Sequence, residues 1–167
     1  WGARNFHEFS KYVRGKWFTI LYLRLKHHLK KNSRSGSKKN ISFHYDLGNS
    51  FYEKWLDESM TYSSAMFKDP EDNLHKGQIN KYENLANITG VKENDKILEI
   101  GCGWGGFSSF LAKKYSANVT AITISKKQYE KAKQKIYDEK LTDKVEVKLL
   151  DYRNISGKYD KIVSIEM

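Results

Sequence analysis

Cysteine is nearly absent from this chain: 167 residues contain one, Cys102. A single thiol excludes an internal disulfide and a zinc site of the cysteine-cluster type, so no metal centre is expected. No apolar run is long enough to span a bilayer, and no secretory leader is expected. The expectation is a soluble, cytoplasmic protein. The first residue is Trp1 and the last, Met167, directly follows an apolar run, so both ends read as cuts. Acid is scarce at one end only. Residues 1–40 hold eleven Lys/Arg against one acid, Glu8, which accounts for the whole net charge of +10. The remainder balances nineteen basic residues with nineteen acidic ones. A basic end on a neutral body calls for a polyanionic partner, either nucleic acid or an anionic lipid surface.

What the basic end does contain is an apolar face. Phe9, Tyr12, Val13, Trp17, Ile20, Leu21 and Leu25 recur at steps of three and four with cations between them, as on a basic amphipathic helix. The run from Trp17 to Leu23 is also rich in strand formers. Two uses of that face stay open, docking on a membrane and packing against a further domain. Ser33 to Asn40 has no apolar residue and reads as a linker, which closes a first segment at 1–40.

Residues 41–95 form a second segment. Its first part is dense in aromatic and polar side chains, among them His44, Tyr45, Phe51, Tyr52, Trp55 and Tyr62. Such a mixture suits an aromatic-walled pocket better than a core, although a lone His44 is more often a hydrogen-bonded structural residue. Asn49 or Ser50 is placed to cap a helix running through Trp55. A second helix is expected from Leu74 to Ile88, ended by Thr89-Gly90, covering a sheet and carrying no chemistry.

From Lys96 onward the pattern is strand, glycine turn, helix. Ile97, Leu98 and Ile100 make a buried-strand run, and glycines follow at 101, 103, 105 and 106. Phe107, Phe110 and Leu111 then recur at helical spacing. Glycines in that context let a ligand approach the backbone at a helix N-terminus. Glu99 stands two residues before the first glycine, where a carboxylate would repel a pyrophosphate. A ligand with an ammonium and a sulfonium suits it better, and S-adenosylmethionine is one. The plain alternative is a turn that binds nothing. Cys102 fits between the glycines by its small size. Further strands at 118–124, 145–150 and 161–165, with a helix at 126–137, complete an α/β, doubly wound parallel sheet. Its ligands sit at the carboxyl ends of the strands. The second end offers Thr123, Ile124 and Gln128 and no acid, so hydroxyl and amide would serve a ribose diol. Helix capping by Ser125, with Gln128 in solvent, is the competing reading. At the third end Asp151 and Tyr152 would bracket an adenine, or form an ordinary turn.

The runs from His44 to Tyr52, Trp55 to Asp57 and Met60 to Phe67 resemble the cyclopropane-fatty-acyl-phospholipid synthase family, which includes mycolic acid cyclopropane synthases. Leu98 to Gly106 and Ala121 to Gln128 are similar to the same family's cofactor motifs. The resemblance implies the class I S-adenosylmethionine methyltransferase fold, here reaching about its fourth strand, with residues 96–167 as the N-terminal half of that domain. It implies methylene transfer from S-adenosylmethionine to the cis double bond of a phospholipid acyl chain, through attack of the alkene on the methyl and ring closure after proton loss. That chemistry needs in-line placement, exclusion of water and a weak base. In the family the base is a bicarbonate ion. Carried over by position, Tyr62, Ser63, Glu99, Gly101, Cys102, Gly103, Gly105, Thr123, Ile124, Gln128, Tyr152 and Arg153 would hold the cofactor. Ser64, where the family often has cysteine, would offer its backbone N–H to bicarbonate. His44, Tyr45, Phe51 and Tyr52 would line the substrate pocket. The family's bicarbonate-binding glutamate, histidine and tyrosine would lie beyond Met167, and Glu166 is not that glutamate. The 167 residues alone are therefore expected to bind cofactor weakly and turn over nothing. The implied partner is an unsaturated phospholipid at the inner, anionic face of the membrane, with a homodimer allowed and no nucleic acid.

Methyl branching of an acyl chain and N-methylation of a small amine share these motifs and remain as alternatives, and a basic nucleic-acid-binding module is the non-enzymatic one. The charge distribution separates lipid from nucleic acid. Protein carrying residues 1–40 is expected to co-sediment with anionic vesicles and to be released as salt rises past about 0.15 M, where the Debye length falls to about 8 Å. Retention on heparin without vesicle binding would reverse the assignment.

Overall fold

The computed structural model describes Asn5, residues 20–24 and residues 48–166. The chain divides into two compact units, Trp1–Ser37 and Lys38–Met167. In the first, residues 20–24 are helical, and Ile20, Leu21, Tyr22 and Leu23 are exposed. The rest of the basic segment, the linker, His44 and Tyr45 lie outside the described residues.

The second unit runs α1 (Asn49–Tyr52), α2 (Leu74–Thr89), β1 (Lys96–Ile100), α3 (Gly106–Tyr115), β2 (Asn118–Thr123), α4 (Lys126–Asp138), β3 (Val145–Leu149) and β4 (Lys161–Ser164), with a 3-10 turn at Tyr152–Asn154. The four strands pair in parallel in the order β3-β2-β1-β4. Chain order therefore reverses at β1: β2 and β3 lie to one side and β4 to the other. Such a switch leaves a crevice at the carboxyl ends of the strands. The central strands explain the apolar runs. Ile97, Leu98, Val119, Ala121 and Ile122 are all buried, because β1 and β2 are covered on both faces. The outer strands alternate more, and Ile162 and Leu149 stay exposed.

Helix ends follow their local chemistry. The side chain of Asn73 accepts from the Lys76 N–H at 2.8 Å and starts α2; Gly90, left-handed at φ 62°, ends it. The Ser125 side chain caps α4 by accepting from the Gln128 N–H at 3.4 Å. Ala132 and Ile136 of α4 face the sheet, with Tyr129 half-buried. One expected helix is shorter than its sequence suggests. It stops at Tyr52 instead of running through Trp55, and neither Asn49 nor Ser50 caps it. The Asn49 side-chain oxygen is instead taken by the Trp104 indole N–H at 2.9 Å, and Gly48 occupies the cap position.

The core joins Tyr82 and Ala86 of α2, Phe107 and Leu111 of α3, and the inner faces of the strands. Tyr82 packs 5.1 Å from Phe107 and 5.5 Å from Phe110, centroid to centroid. This contact brings α2 and the segment before it onto the first turn of α3. A Cβ at Gly106 would lie 2.6 Å from the Tyr82 hydroxyl and 2.8 Å from the Ser59 carbonyl oxygen. Neither neighbour can retreat, since Tyr82 and Ser59 are themselves buried. Gly106→Ala is therefore expected to lower stability by about 1–3 kcal/mol, read as a fall in the urea midpoint at unchanged m-value.

Candidate cofactor site

The turn after β1 is built as a backbone platform. Gly101, Gly103 and Gly105 all have positive φ, at 77°, 54° and 84°. The N–H groups of Gly101 and Cys102 both donate to the Ile122 carbonyl, at 2.9 and 3.0 Å, which pins the turn over the end of β2. Above Gly103 there is open space: a Cβ there would meet nothing within 4 Å. Cys102 points inward, and burial pushes its thiol well above the ordinary range. It is a small inert spacer. Glu99 is also buried, at 3 % exposure, and its carboxylate accepts from the Ser108 hydroxyl and backbone N–H in the first turn of α3. Burial raises its pKa to about 7 despite these hydrogen bonds.

At the end of β2 the Thr123 hydroxyl donates to Gln128 Oε1 at 2.9 Å, which leaves the Gln128 amide N–H groups as donors. Both residues are about 95 % buried, so the solvent-exposed alternative for Gln128 is excluded. Ile124 lies half-buried between them and Ser125. At the end of β3, Asp151 caps the 3-10 turn. It accepts from the Arg153 N–H at 3.0 Å and from the guanidinium at 2.8 and 2.5 Å. Its carboxylate is thus committed to the turn. The Tyr152 ring is half exposed, with the Arg153 guanidinium 5.7 Å from its centroid.

Residues 57–64 close the other side of the crevice, and α2 holds them there. Asp57 accepts from the N–H groups of Ser59 and Thr61, at 3.0 and 3.1 Å, and binds His75 Nδ1 at 2.9 Å. Burial alone would raise its pKa; the hydrogen bonds from Ser59, His75 and Thr61 outweigh that and hold it below the ordinary value. The Thr61 hydroxyl bonds the Tyr82 hydroxyl. Gln78 Nε2 donates to the Ser63 carbonyl at 2.9 Å, and the Lys81 ammonium donates to Ser63 Oγ. The Ser64 N–H and hydroxyl both donate to Glu166 Oε1, each at 3.1 Å.

The described candidate residues therefore meet at one end of the sheet, but not in equal roles. Tyr62 is half exposed, edge-on to Trp55 at 5.4 Å. Tyr52 is buried, 5.1 Å from Trp104, and works as a packing centre, whereas Phe51 is exposed at the rim. Asp57, His75, Gln78 and Lys81 have no site role in the sequence reading, and Asn49 figures there only as a helix cap. The α2 residues had one visible signal: Gln78 lies beside Ile79 and Tyr82, on the face that should be apolar.

The raised pKa of Glu99 links its titration to folding. Its proton binds more tightly in the folded state, so its contribution to stability is complete below the ordinary carboxylate value of 4.5 and is lost as pH rises through 7. Glu99→Gln is expected to remove that loss, which is on the order of 3 kcal/mol. The check is urea unfolding of both proteins at pH values from about 5 to about 8; parallel curves for the two would refute it.

A family model described as mycolic acid cyclopropane synthetase matches residues 32–167. A probable fatty acid methyltransferase of Pseudomonas putida is 43% identical over 76% of this chain and 33% of that protein. The tuberculostearic acid methyltransferase of Mycobacterium tuberculosis is 37% identical, covering 81% of this chain and 33% of that one. The cyclopropane-fatty-acyl-phospholipid synthase of Escherichia coli is 37% identical, covering 74% and 31%. The chain thus spans about a third of the length of these relatives. Among solved structures, mycolic acid cyclopropane synthase CmaA1 in complex with SAH and CTAB aligns with a TM-score of 0.72 and 32% identity, over 77% of this chain and 45% of that chain. Coclaurine N-methyltransferase with N-methylheliamine and SAH aligns with a TM-score of 0.70 and 27% identity, over 74% and 36%. With its parallel sheet, its glycine platform and a family match over residues 32–167, the chain belongs to the mycolic acid cyclopropane synthetase family of S-adenosylmethionine-dependent methyltransferases.

Proposed function

We propose that the whole protein transfers a one-carbon unit from S-adenosylmethionine to the cis double bond of an unsaturated phospholipid acyl chain and closes a cyclopropane ring. The observation that carries this reading is the seat of residues 57–64. A family-specific aromatic and polar segment is bonded by α2 across the crevice from the glycine platform. The residues present fit the cofactor. Open space above Gly103 admits a ligand to the backbone, and the Thr123–Gln128 pair offers donors and an acceptor for a diol. Tyr62 and Ser63 would face it from the far wall, and Tyr152 and Arg153 would flank its base. When bound, S-adenosylmethionine supplies an electrophilic methyl group. The chain's own part is to orient, to shield from water and to place polar groups.

Bicarbonate as the weak base is part of the same proposal. Ser64 suits it, because its N–H and hydroxyl already converge on one carboxylate oxygen of Glu166, a planar oxyanion of similar shape. The lipid enters from the inner, anionic face of the cytoplasmic membrane, where the basic residues of 1–40 would draw the enzyme. Among the described residues no helix is long and apolar enough to cross that membrane. Nucleic acid has no part in this reading, and a homodimer is compatible with it.

A second reading, methyl branching at the same double bond, is supported by the names of the Pseudomonas and Mycobacterium relatives. N-methylation has the coclaurine enzyme in its favour. Mass spectrometry of phospholipids from cells expressing the full-length gene, before and after ozonolysis, separates all three. Cyclopropanation and an unreduced methyl branch both add the mass of one CH2 to unsaturated chains, but only the branched chain keeps an alkene that ozone cleaves; a branch reduced by a separate hydride donor adds two hydrogens more. Unchanged lipids beside a methylated amine would overturn the lipid assignment.

A further inference from the structure

The sheet order gives the crevice a direction. The proposed adenine residues Tyr152 and Arg153 follow β3, the ribose residues Thr123 and Gln128 end β2 and lie in the first turn of α4, and the glycine platform follows β1. A cofactor laid along that order points its amino-acid end past β1 toward the end of β4. There Ser64 meets Glu166. The amino-acid end carries an ammonium and a carboxylate, and the two need opposite partners. Glu166 supplies negative charge, and Glu99 does so to the extent that it ionises. A carboxylate needs a cation, and α2 brings the Lys81 ammonium to this wall at Ser63.

Lys81 is half-buried, its ammonium on Ser63 Oγ and 5.8 Å from the Tyr82 ring centroid. Burial lowers its pKa, against the pull of Glu166 and Asp57. Desolvating an ammonium for packing alone is wasteful, since an apolar side chain would fill the space without that cost. Its hydrogen bond has a directional effect. An ammonium has only donors, so Ser63 Oγ must accept from it, and the serine's own O–H turns elsewhere. Gln78 meanwhile fixes the Ser63 carbonyl at 2.9 Å. Ser63 is thereby set as a donor backed by a positive charge, which is the arrangement that binds carboxylates well.

We propose that Lys81 is a positioning residue for the carboxylate of the cofactor's methionine end, acting through the Ser63 hydroxyl. The proposal rests on the S-adenosylmethionine reading and deepens it. Isothermal titration of the full-length protein with two ligands tests it: S-adenosylhomocysteine, and 5′-methylthioadenosine, which keeps the nucleoside and thioether but lacks the amino-acid end. Lys81→Met is expected to weaken S-adenosylhomocysteine binding about tenfold and leave 5′-methylthioadenosine within about twofold. Lys81→Arg is expected to restore most of the difference. Ser63→Ala, a smaller change, should reproduce the selective loss. Equal losses on both ligands in Lys81→Met and Ser63→Ala, or no loss on either, overturn the proposal. A wild-type protein that binds neither ligand overturns the cofactor reading itself, and the role of Lys81 with it.

Discussion

The contact on which the crevice depends is the approach of Ser59 and Tyr82 to Gly106, at a distance that leaves no room for a side chain. Through it three separate pieces share one corner: the segment 57–64, the helix α2 and the first turn of α3. The glycine platform and the wall opposite are then set by the same atoms. The corner is polar as well as tight. Asp57 gathers two backbone N–H groups and His75, Thr61 bonds Tyr82, and Gln78 and Lys81 secure Ser63. Networks of this kind are costly when incomplete and specific when satisfied. Here all but one buried side-chain polar atom, Gln78 Oε1, is paired among the described residues.

The sheet and its glycine turn were legible in the sequence because the central strands are buried on both sides and so lack alternation. Ile97-Leu98 and Ala121-Ile122 could hardly be anything else, and α2 ends within one residue of where Gly90 predicted. The short α1 was not legible, because the capping oxygen of Asn49 is claimed by Trp104, fifty-five residues away. Long-range hydrogen bonds leave no local trace. The same holds for α2. Helical periodicity marks which face is buried, and Gln78, Asn80 and Lys81 only become informative once segment 57–66 is seen lying against them.

Glu99 does more than its place in the sequence implies. In the sequence it is a charge that disfavours a pyrophosphate. In the fold it is buried on Ser108 at the start of α3 and raised to about 7, so its charge at neutral pH is partial and open to its surroundings. A cation arriving nearby would draw it toward the ionised form. The carboxylate therefore behaves less as a fixed repulsive charge than as a group that answers to what occupies the platform.

The neutral pair at the end of β2 has the opposite character. Thr123 and Gln128 hold each other through an amide and a hydroxyl, neither of which gains or loses a proton in a cell. Where a carboxylate would make grip on a ribose depend on acidity and salt, the proposed grip of this pair would be indifferent to both. Under the proposed cofactor placement, environmental sensitivity is partitioned along a single ligand. The nucleoside half would be anchored the same way at any pH or salt concentration, and only the half nearest the chemistry would register a change in conditions.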